Sequence, residues 1–121
     1  MSISVTLELR QNRGLSTAVP KAGNSGTFTV TQTSEKYAAA VQAIGTSMEA
    51  ITLGDVTTPG FSWFRNLDAT NYVEIGINVA GFQPVLKLKP GEGQVFRFAT
   101  AAPQARANTA SVDLEYIILA D

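Results

Sequence analysis

Alternation of apolar and polar residues predicts β-strands near the start of the chain. In the run Ile3–Arg10, Ile, Val and Leu alternate with polar residues, as in a strand with one buried and one solvated face. The run Thr27–Gln32 alternates in the same way, with Phe28 and Val30 predicted to point inward. The intervening segment Gln11–Gly26 contains a proline and three glycines and is therefore predicted to be a long loop.

The segment Ser34–Ile44 is compatible with two structures. Its alanine run, Ala38–Ala40, favours a helix by intrinsic propensity. The period of two expected of a strand is fitted equally well by Tyr37, Ala39, Val41 and Ala43. A strand is favoured because the surrounding segments are predicted to be β.

Turn signals divide the rest of the chain into short apolar segments. Six further strands are predicted: Ala50–Leu53, Phe61–Leu67, Tyr72–Val79, Val85–Lys89, Gln94–Ala99 and Val112–Ala120. The second and third of these are predicted to form a hairpin, and the fourth and fifth a second hairpin around the turn Pro90–Gly93. The segment Ala101–Ala110, which is rich in small residues and contains Pro103, is predicted to be a loop.

The spacing of these strands indicates the fold class. About eight or nine short strands, with a turn signal roughly every ten residues, are typical of a β-sandwich or barrel and not of alternating strands and helices. Because the chain has 121 residues and neither a linker nor an internal repeat, one domain is expected. The prediction is a single all-β domain with a jelly-roll-like antiparallel β-sandwich.

Composition excludes several kinds of chemistry. The chain has no cysteine and no histidine, so a disulfide, a thiolate zinc site, a cysteine nucleophile and a histidine general base are all impossible. Serine nucleophiles therefore lack their usual base. The formal net charge of −1 argues against binding to nucleic acid. No run approaches the length of a membrane span, and the alternating N-terminus does not predict a signal peptide.

The acidic residues do not predict a catalytic site. Asp113 and Glu115 are expected on one face of the last strand, solvated or paired with a basic residue (Lys87, Lys89 or Arg97). A hydrolase that used carboxylates alone would need two acids on separate elements that converge in a cleft. Asp55 and Asp68 lie in predicted turns, where aspartate binds its own backbone.

The other candidate sites also have plain structural explanations. Gly91 and Gly93 mark a turn that no helix follows, so they cannot form a helix-based phosphate site. A basic face formed by Lys87, Lys89 and Arg97 is expected to be solvated, although it could dock on an acidic partner. An aromatic set that could stack on sugars, but is mostly predicted to be core, comprises Phe61, Trp63, Phe64 and Tyr72. No catalytic, cofactor-binding or metal-ligating residue is predicted, and no cofactor.

Three segments carry a resemblance to a known group of proteins: Leu53–Gly76, Leu86–Glu92 and Ala107–Tyr116. The most specific part is the run Arg65–Asp68 followed by Asn71–Val73. These segments resemble small β-sandwich virion proteins of tailed bacteriophages, and the similarity covers roughly the last two thirds of the chain. The shared motifs are structural, so the resemblance supplies no active-site residues.

The resemblance implies a non-enzymatic structural protein of the virion, made in the cytoplasm of the host bacterium. The expected role is that of a capsid decoration or cement protein, which stabilises the head by bridging capsomers. The implied partners are the major capsid protein and further copies of the chain, with a homotrimer favoured. We hypothesise that Gln11–Gly26 and Ala101–Ala110 contact the shell or sister subunits. The alternative is a tail-associated binding module that recognises a host glycan or protein.

Overall fold

A computed structural model describes residues 2–6 and 27–121, and every regular element within them is a β-strand. The strands are β1 (Ser2–Thr6), β2 (Thr27–Thr31), β3 (Tyr37–Ile44), β4 (Glu49–Ala50), β5 (Pro59–Asn66), β6 (Val73–Asn78), β7 (Phe82–Leu88), β8 (Gly93–Arg97), β9 (Gln104–Ala107) and β10 (Val112–Ala120). The all-β prediction is therefore confirmed. The predicted loop Gln11–Gly26 lies outside the described residues.

The strands form a two-stranded sheet and two four-stranded sheets, all antiparallel. Strands β1 and β2 pair with each other and form sheet A. Sheet B has the order β3-β10-β5-β8, and sheet C has the order β4-β9-β6-β7. Counted from β3, sheet B holds the first, eighth, third and sixth strands, and sheet C holds the second, seventh, fourth and fifth. This winding of eight strands between two sheets is the jelly-roll arrangement, so the predicted fold class is confirmed.

The hydrophobic core fills the space between sheets B and C. Its largest fully buried side chains are Tyr116 and Phe64, which lie on the inner face of sheet B. The ring of Phe64 stacks on Phe96 with centroids 5.4 Å apart and meets Phe98 edge-on at 5.7 Å. Sheet C contributes the buried side chains of Val73, Ile75, Leu88, Ala105 and Ala107. Burial of these groups is the main force that holds the two sheets together.

Both predicted hairpins are wrong. Strand β5 belongs to sheet B and β6 to sheet C, while β7 belongs to sheet C and β8 to sheet B. The turns after β5 and β7 therefore carry the chain across the core from one sheet to the other. Alternation reports which side chains point inward, and it has the same period in a hairpin and in such a crossing. The hairpin within sheet C joins β6 to β7 instead.

The predicted loop Ala101–Ala110 is also wrong in part, because it contains β9. This strand lies in sheet C between β4 and β6, with Ala105 and Ala107 buried in the core. Alanine has low β-propensity, so these inward positions gave no strand signal. The predicted strand Ala50–Leu53 is also mostly wrong, because β4 covers Glu49–Ala50 and only Ala50 is common to the two ranges.

The ambiguous segment forms a strand, β3, at the edge of sheet B. The stripe that favoured a strand points outward: Tyr37, Ala39, Val41 and Ala43 are all exposed. The neighbouring strand β10 pairs with both β3 and β5, so it is central. Its run Tyr116–Leu119 is apolar because one set of side chains enters the core and the other lies on the outside of sheet B.

The corner after β5 is organised by Asn66, whose side chain is fully buried. Its amide donates to the carbonyls of Asn71 (2.9 Å) and Leu88 (3.0 Å), and its Oδ1 accepts the N–H of Asp68 (2.8 Å). Asp68 then accepts the backbone N–H groups of Asn71 and Thr70, which hold the pKa of its carboxyl below the ordinary value. The predicted turn-capping role of Asp68 is therefore confirmed.

Candidate functional site

The outer surface of sheet B is mostly apolar. Registered neighbours bring together one residue from each strand, for example Ala39, Ile117, Trp63 and Val95 across the middle of the sheet. We call the following set the outer B face: Tyr37, Ala39, Val41, Phe61, Trp63, Val95, Ile117 and Leu119. Three of its large side chains are strongly exposed, at 63% for Tyr37, 55% for Val41 and 43% for Ile117. The outer surface of sheet B thus carries an exposed apolar patch, flanked on the same face by the charged residues Arg65, Arg97, Asp113 and Glu115.

The outer surface of sheet C is different in chemistry. Glu74 lies between Lys87 and Arg106 in the strand register, and Arg106 Nη2 donates to Glu74 Oε1 at 3.0 Å. Lys87 sits 4.1 Å above the ring of Tyr72, and Arg106 lies 4.6 Å from the ring of Phe82. Ion pairs and cation–π contacts of this kind suit a solvated surface. The contrast singles out the outer B face as the candidate functional surface.

The predicted basic face of Lys87, Lys89 and Arg97 does not form. Lys87 lies on sheet C, whereas Arg97 lies on sheet B and pairs with Asp121. The expectation that one of these residues pairs with Asp113 or Glu115 is not met by any ion pair in the described part of the chain. The reason is the crossing after β7, which separates residues that a hairpin would have placed together.

The acidic residues do not converge on a cleft. Asp113 is exposed at the start of β10, and Glu115 lies directly opposite Arg65 of β5 in the register. Within residues 2–6 and 27–121 there is no group of three or more acidic side chains that could hold a metal ion. No helix in that part of the chain is long and apolar enough to cross a membrane.

The aromatic set is divided among three places. Phe64 is in the core, with no exposed surface. Phe61 and Trp63 are half-buried on the outer B face, and Tyr72 is half-buried beneath Lys87. A single stacking platform of all four residues is therefore absent from the structure, although Trp63 and Tyr37 share the outer B face.

Two grooves border sheet B. One, of about 430 Å³, opens between β7 and β8 and is lined mainly by apolar residues that include Ile75, Leu86 and Phe96. The other, of about 560 Å³, runs along the first half of β3, and we call it the β3 groove. It is lined by Glu35–Ala40 on one side and by Thr52, Gly54, Asp55 and Tyr116.

A hydrogen-bonded cluster fixes the wall of the β3 groove opposite the strand. The Gln42 amide donates to the carbonyl of Ala50 at 3.0 Å, and Gln42 Oε1 accepts the N–H of Thr52 at 3.0 Å. The hydroxyl of Tyr116 donates to the carbonyl of Thr52 at 2.8 Å. Burial raises the pKa of the Tyr116 hydroxyl above 10.0, and the bond to Thr52 opposes this only in part. The cluster thus joins β3 and β10 to the segment after β4.

The raised pKa of Tyr116 predicts a loss of stability in alkali. A group whose pKa is higher in the folded state contributes stability that is complete below its unfolded pKa, here 10.0, and that is lost as pH rises through the folded value. We expect the Tyr116→Phe variant to lose about 1 kcal/mol at pH 8, because the hydrogen bond to Thr52 is removed. Above pH 10 the variant should approach and then match the wild type. Urea unfolding at a series of pH values measures the free energy of unfolding of both proteins. A difference between them that stays constant above pH 10 would contradict a raised pKa for Tyr116.

Sequence reasoning missed the outer B face as a unit, although its signals were present. The β3 stripe, the doubly apolar end of β10 and the aromatic strand β5 each carried part of it. What was missing was the pairing order β3-β10-β5-β8, which places these three features side by side. Comparison with protein-family models, with curated proteins and with solved structures gave no match to this chain. The resemblance to phage virion proteins therefore stays a prediction.

Proposed function

We propose that the protein is a non-enzymatic structural component of a tailed-bacteriophage virion. Its role is that of a decoration or cement protein, which binds the major capsid protein and stabilises the head by bridging capsomers. The resemblance described above suggests this role and favours a trimeric assembly. The observation that carries the proposal is the apolar outer B face, because an exposed apolar patch on a soluble domain commonly marks a protein–protein contact.

Further features agree with this proposal. Eight-stranded jelly rolls occur in viral capsid domains, although they also occur in lectins and in unrelated enzymes, so the fold alone decides nothing. The carboxylates Asp113 and Glu115 lie on an open strand face and not in a cleft. A cement protein needs no reaction, and it acts through contacts that are individually modest and repeated over the shell by symmetry.

Location in the particle tests the proposal. Antibodies raised against the purified chain should label the heads, in immunogold electron microscopy, of particles made by the phage whose genome encodes it. Heads assembled from a genome that lacks the gene should release DNA at a lower temperature than wild-type heads. Absence of the chain from purified particles, checked by mass spectrometry, would overturn the proposal.

A tail-associated binding module is the second candidate. It is favoured by aromatic rings of the outer B face, among them Trp63 and Tyr37, of which Tyr37 is 63% exposed. Exposed aromatic rings can stack on sugars and contribute at protein interfaces. Gold label on tails, together with glycan-array binding that the Trp63→Ala variant loses, would support this candidate over decoration of the head.

A further inference from the structure

We propose that β3 is a self-pairing edge: it adds to the β3 strand of a second copy, in antiparallel orientation, across a two-fold axis. The inference concerns how copies of the chain join, and it goes beyond the proposed function without depending on it. Unpaired strand edges expose backbone N–H and C=O groups that bind another strand, unless the sequence prevents it.

The other three edges of sheets B and C carry features that oppose pairing. Strand β4 is only two residues long. Strand β7 contains Pro84, which has no N–H, and a bulge where the register with β6 shifts between Ile75 and Gly76. Strand β8 has five residues and ends at Arg97, which pairs with Asp121. Short length, proline, bulges and charge are the usual devices that keep edges unpaired.

Strand β3 has none of these devices. It is eight residues long, and its sequence Tyr-Ala-Ala-Ala-Val-Gln-Ala-Ile contains no charge, no proline and no glycine. Its register with β10 is unbroken from Tyr37 to Ile44, without a bulge. Among the described residues, the backbone of β3 hydrogen-bonds only to β10, which makes β3 the edge strand of sheet B there.

The side chains of β3 also suit pairing with an identical strand. If Ala40 faces its own copy across the axis, then Tyr37 faces Ala43 of the other copy, and Ala38 faces Gln42. Every such pair joins a small residue to a larger one or two small residues, so no bulky side chains collide. The charged residues Glu35 and Lys36 lie outside the strand, and no two-fold axis within β3 brings like charges opposite each other. The pair would also join two outer B faces into one longer apolar surface.

Two-fold pairing makes a geometric prediction that needs no knowledge of the exact register. Directly opposed residues in an antiparallel pair point to the same face of the sheet, whereas successive residues of a strand point to opposite faces. A two-fold axis perpendicular to the sheet therefore always lies midway between one residue and the same residue of the other copy. Opposed Cα atoms in such pairs are about 4.5–5.5 Å apart, within the range for a disulfide bond.

Single-cysteine variants test this directly, because the natural chain has no cysteine. Each of the eight residues of β3, Tyr37–Ile44, would be replaced singly by cysteine in the full-length protein and oxidised with copper–phenanthroline, and disulfide dimers would be measured on non-reducing gels. One of these variants should form dimer at least tenfold faster than the others. The matched control is Val85→Cys, which is on the β7 edge and has 78% of its surface exposed.

The outcome separates this inference from the proposed function. Two-fold pairing is supported if one position in β3 forms disulfide dimer faster than the others and if light scattering gives a mass equal to an even number of chains. A pair of trimers joined through β3 would meet both conditions. Dimer formation in β3 no faster than at Val85→Cys, or a mass of one or three chains, overturns it. Neither result alters where the immunogold label falls, so the two proposals fail independently. Circular dichroism of each variant checks that the fold is kept.

Discussion

Replacing Asn66 with alanine should lower the free energy of unfolding by about 3 to 4 kcal/mol, since it leaves buried polar groups without partners. The lost amide donates to the carbonyls of Asn71 and Leu88, and the lost oxygen accepts the N–H of Asp68. These bonds join the end of β5 to the following loop and to the end of β7, which belongs to the other sheet. Equilibrium unfolding in urea, followed by tryptophan fluorescence, measures the change.

Asn78 provides a matched control for Asn66. Its Oδ1 accepts one hydrogen bond, from the N–H of Gly81, but the side chain is exposed and water can replace the bond. We expect Asn78→Ala to cost less than about 1 kcal/mol. If both variants lost the same free energy of unfolding, burial of the side chain would not be the reason for the loss at Asn66. The conservative variant Asn66→Asp keeps an acceptor but no donor, so it should remain strongly destabilised.

The role of Asn66 gives a physical meaning to the run Arg65–Asp68, the most specific part of the family resemblance. Asn66 fixes the corner, and Asp68 caps the turn that follows through the N–H groups of Thr70 and Asn71. Both residues serve the crossing from sheet B to sheet C. A motif of this kind records how a β-sandwich turns a corner, so it carries information about fold more directly than about binding partners.

The sequence predicts which side chains of a strand point inward, but it does not predict which strands pair. Alternation correctly placed Val30 inside and Lys87 on a solvated face. It could not place β7 and β8 in different sheets, because the inward residues of both strands face the same core in either arrangement. The strand order depends on contacts between residues distant in the chain, such as β3 with β10, and local patterns do not record them.

The outer B face could not be predicted from the sequence for a related reason. The stripe Tyr37, Ala39, Val41 and Ala43 predicted a strand from its period, but an apolar stripe is normally assigned to the core. In β3 the inward positions are instead Ala38, Gln42 and Ile44, of which Gln42 is polar and bonded to the segment after β4. An edge strand with its apolar stripe outside departs from the usual pattern, and such departures tend to mark functional surfaces.

The bulge that keeps the β7 edge from pairing depends on Gly76. This is why we propose pairing at the β3 edge and not at the β7 edge. At the bulge between β6 and β7, Ile75 is opposite Leu86 and Gly76 is opposite Pro84, so Val85 is left unpaired and 78% exposed. A bulge next to a proline blocks regular addition of another strand. The arrangement requires the backbone of Gln83–Pro84 to approach Gly76 closely, which any side chain would prevent.

The Gly76→Ala variant should therefore lose about 3 kcal/mol of stability, at the upper end of the usual range for overpacked sites. Its added Cβ would lie 2.0 Å from the carbonyl oxygen of Gln83 and 2.9 Å from Pro84 Cα, and both are backbone atoms that cannot rotate away. The matched control is Gly45→Ala, whose Cβ would meet only Glu49 Oε2, at 3.4 Å, an ordinary van der Waals contact, so a change within about 1 kcal/mol is expected. Urea unfolding compares the two variants. If Gly76→Ala were as stable as Gly45→Ala, the bulge would have another cause, and the β7 edge would lose its explanation for being closed.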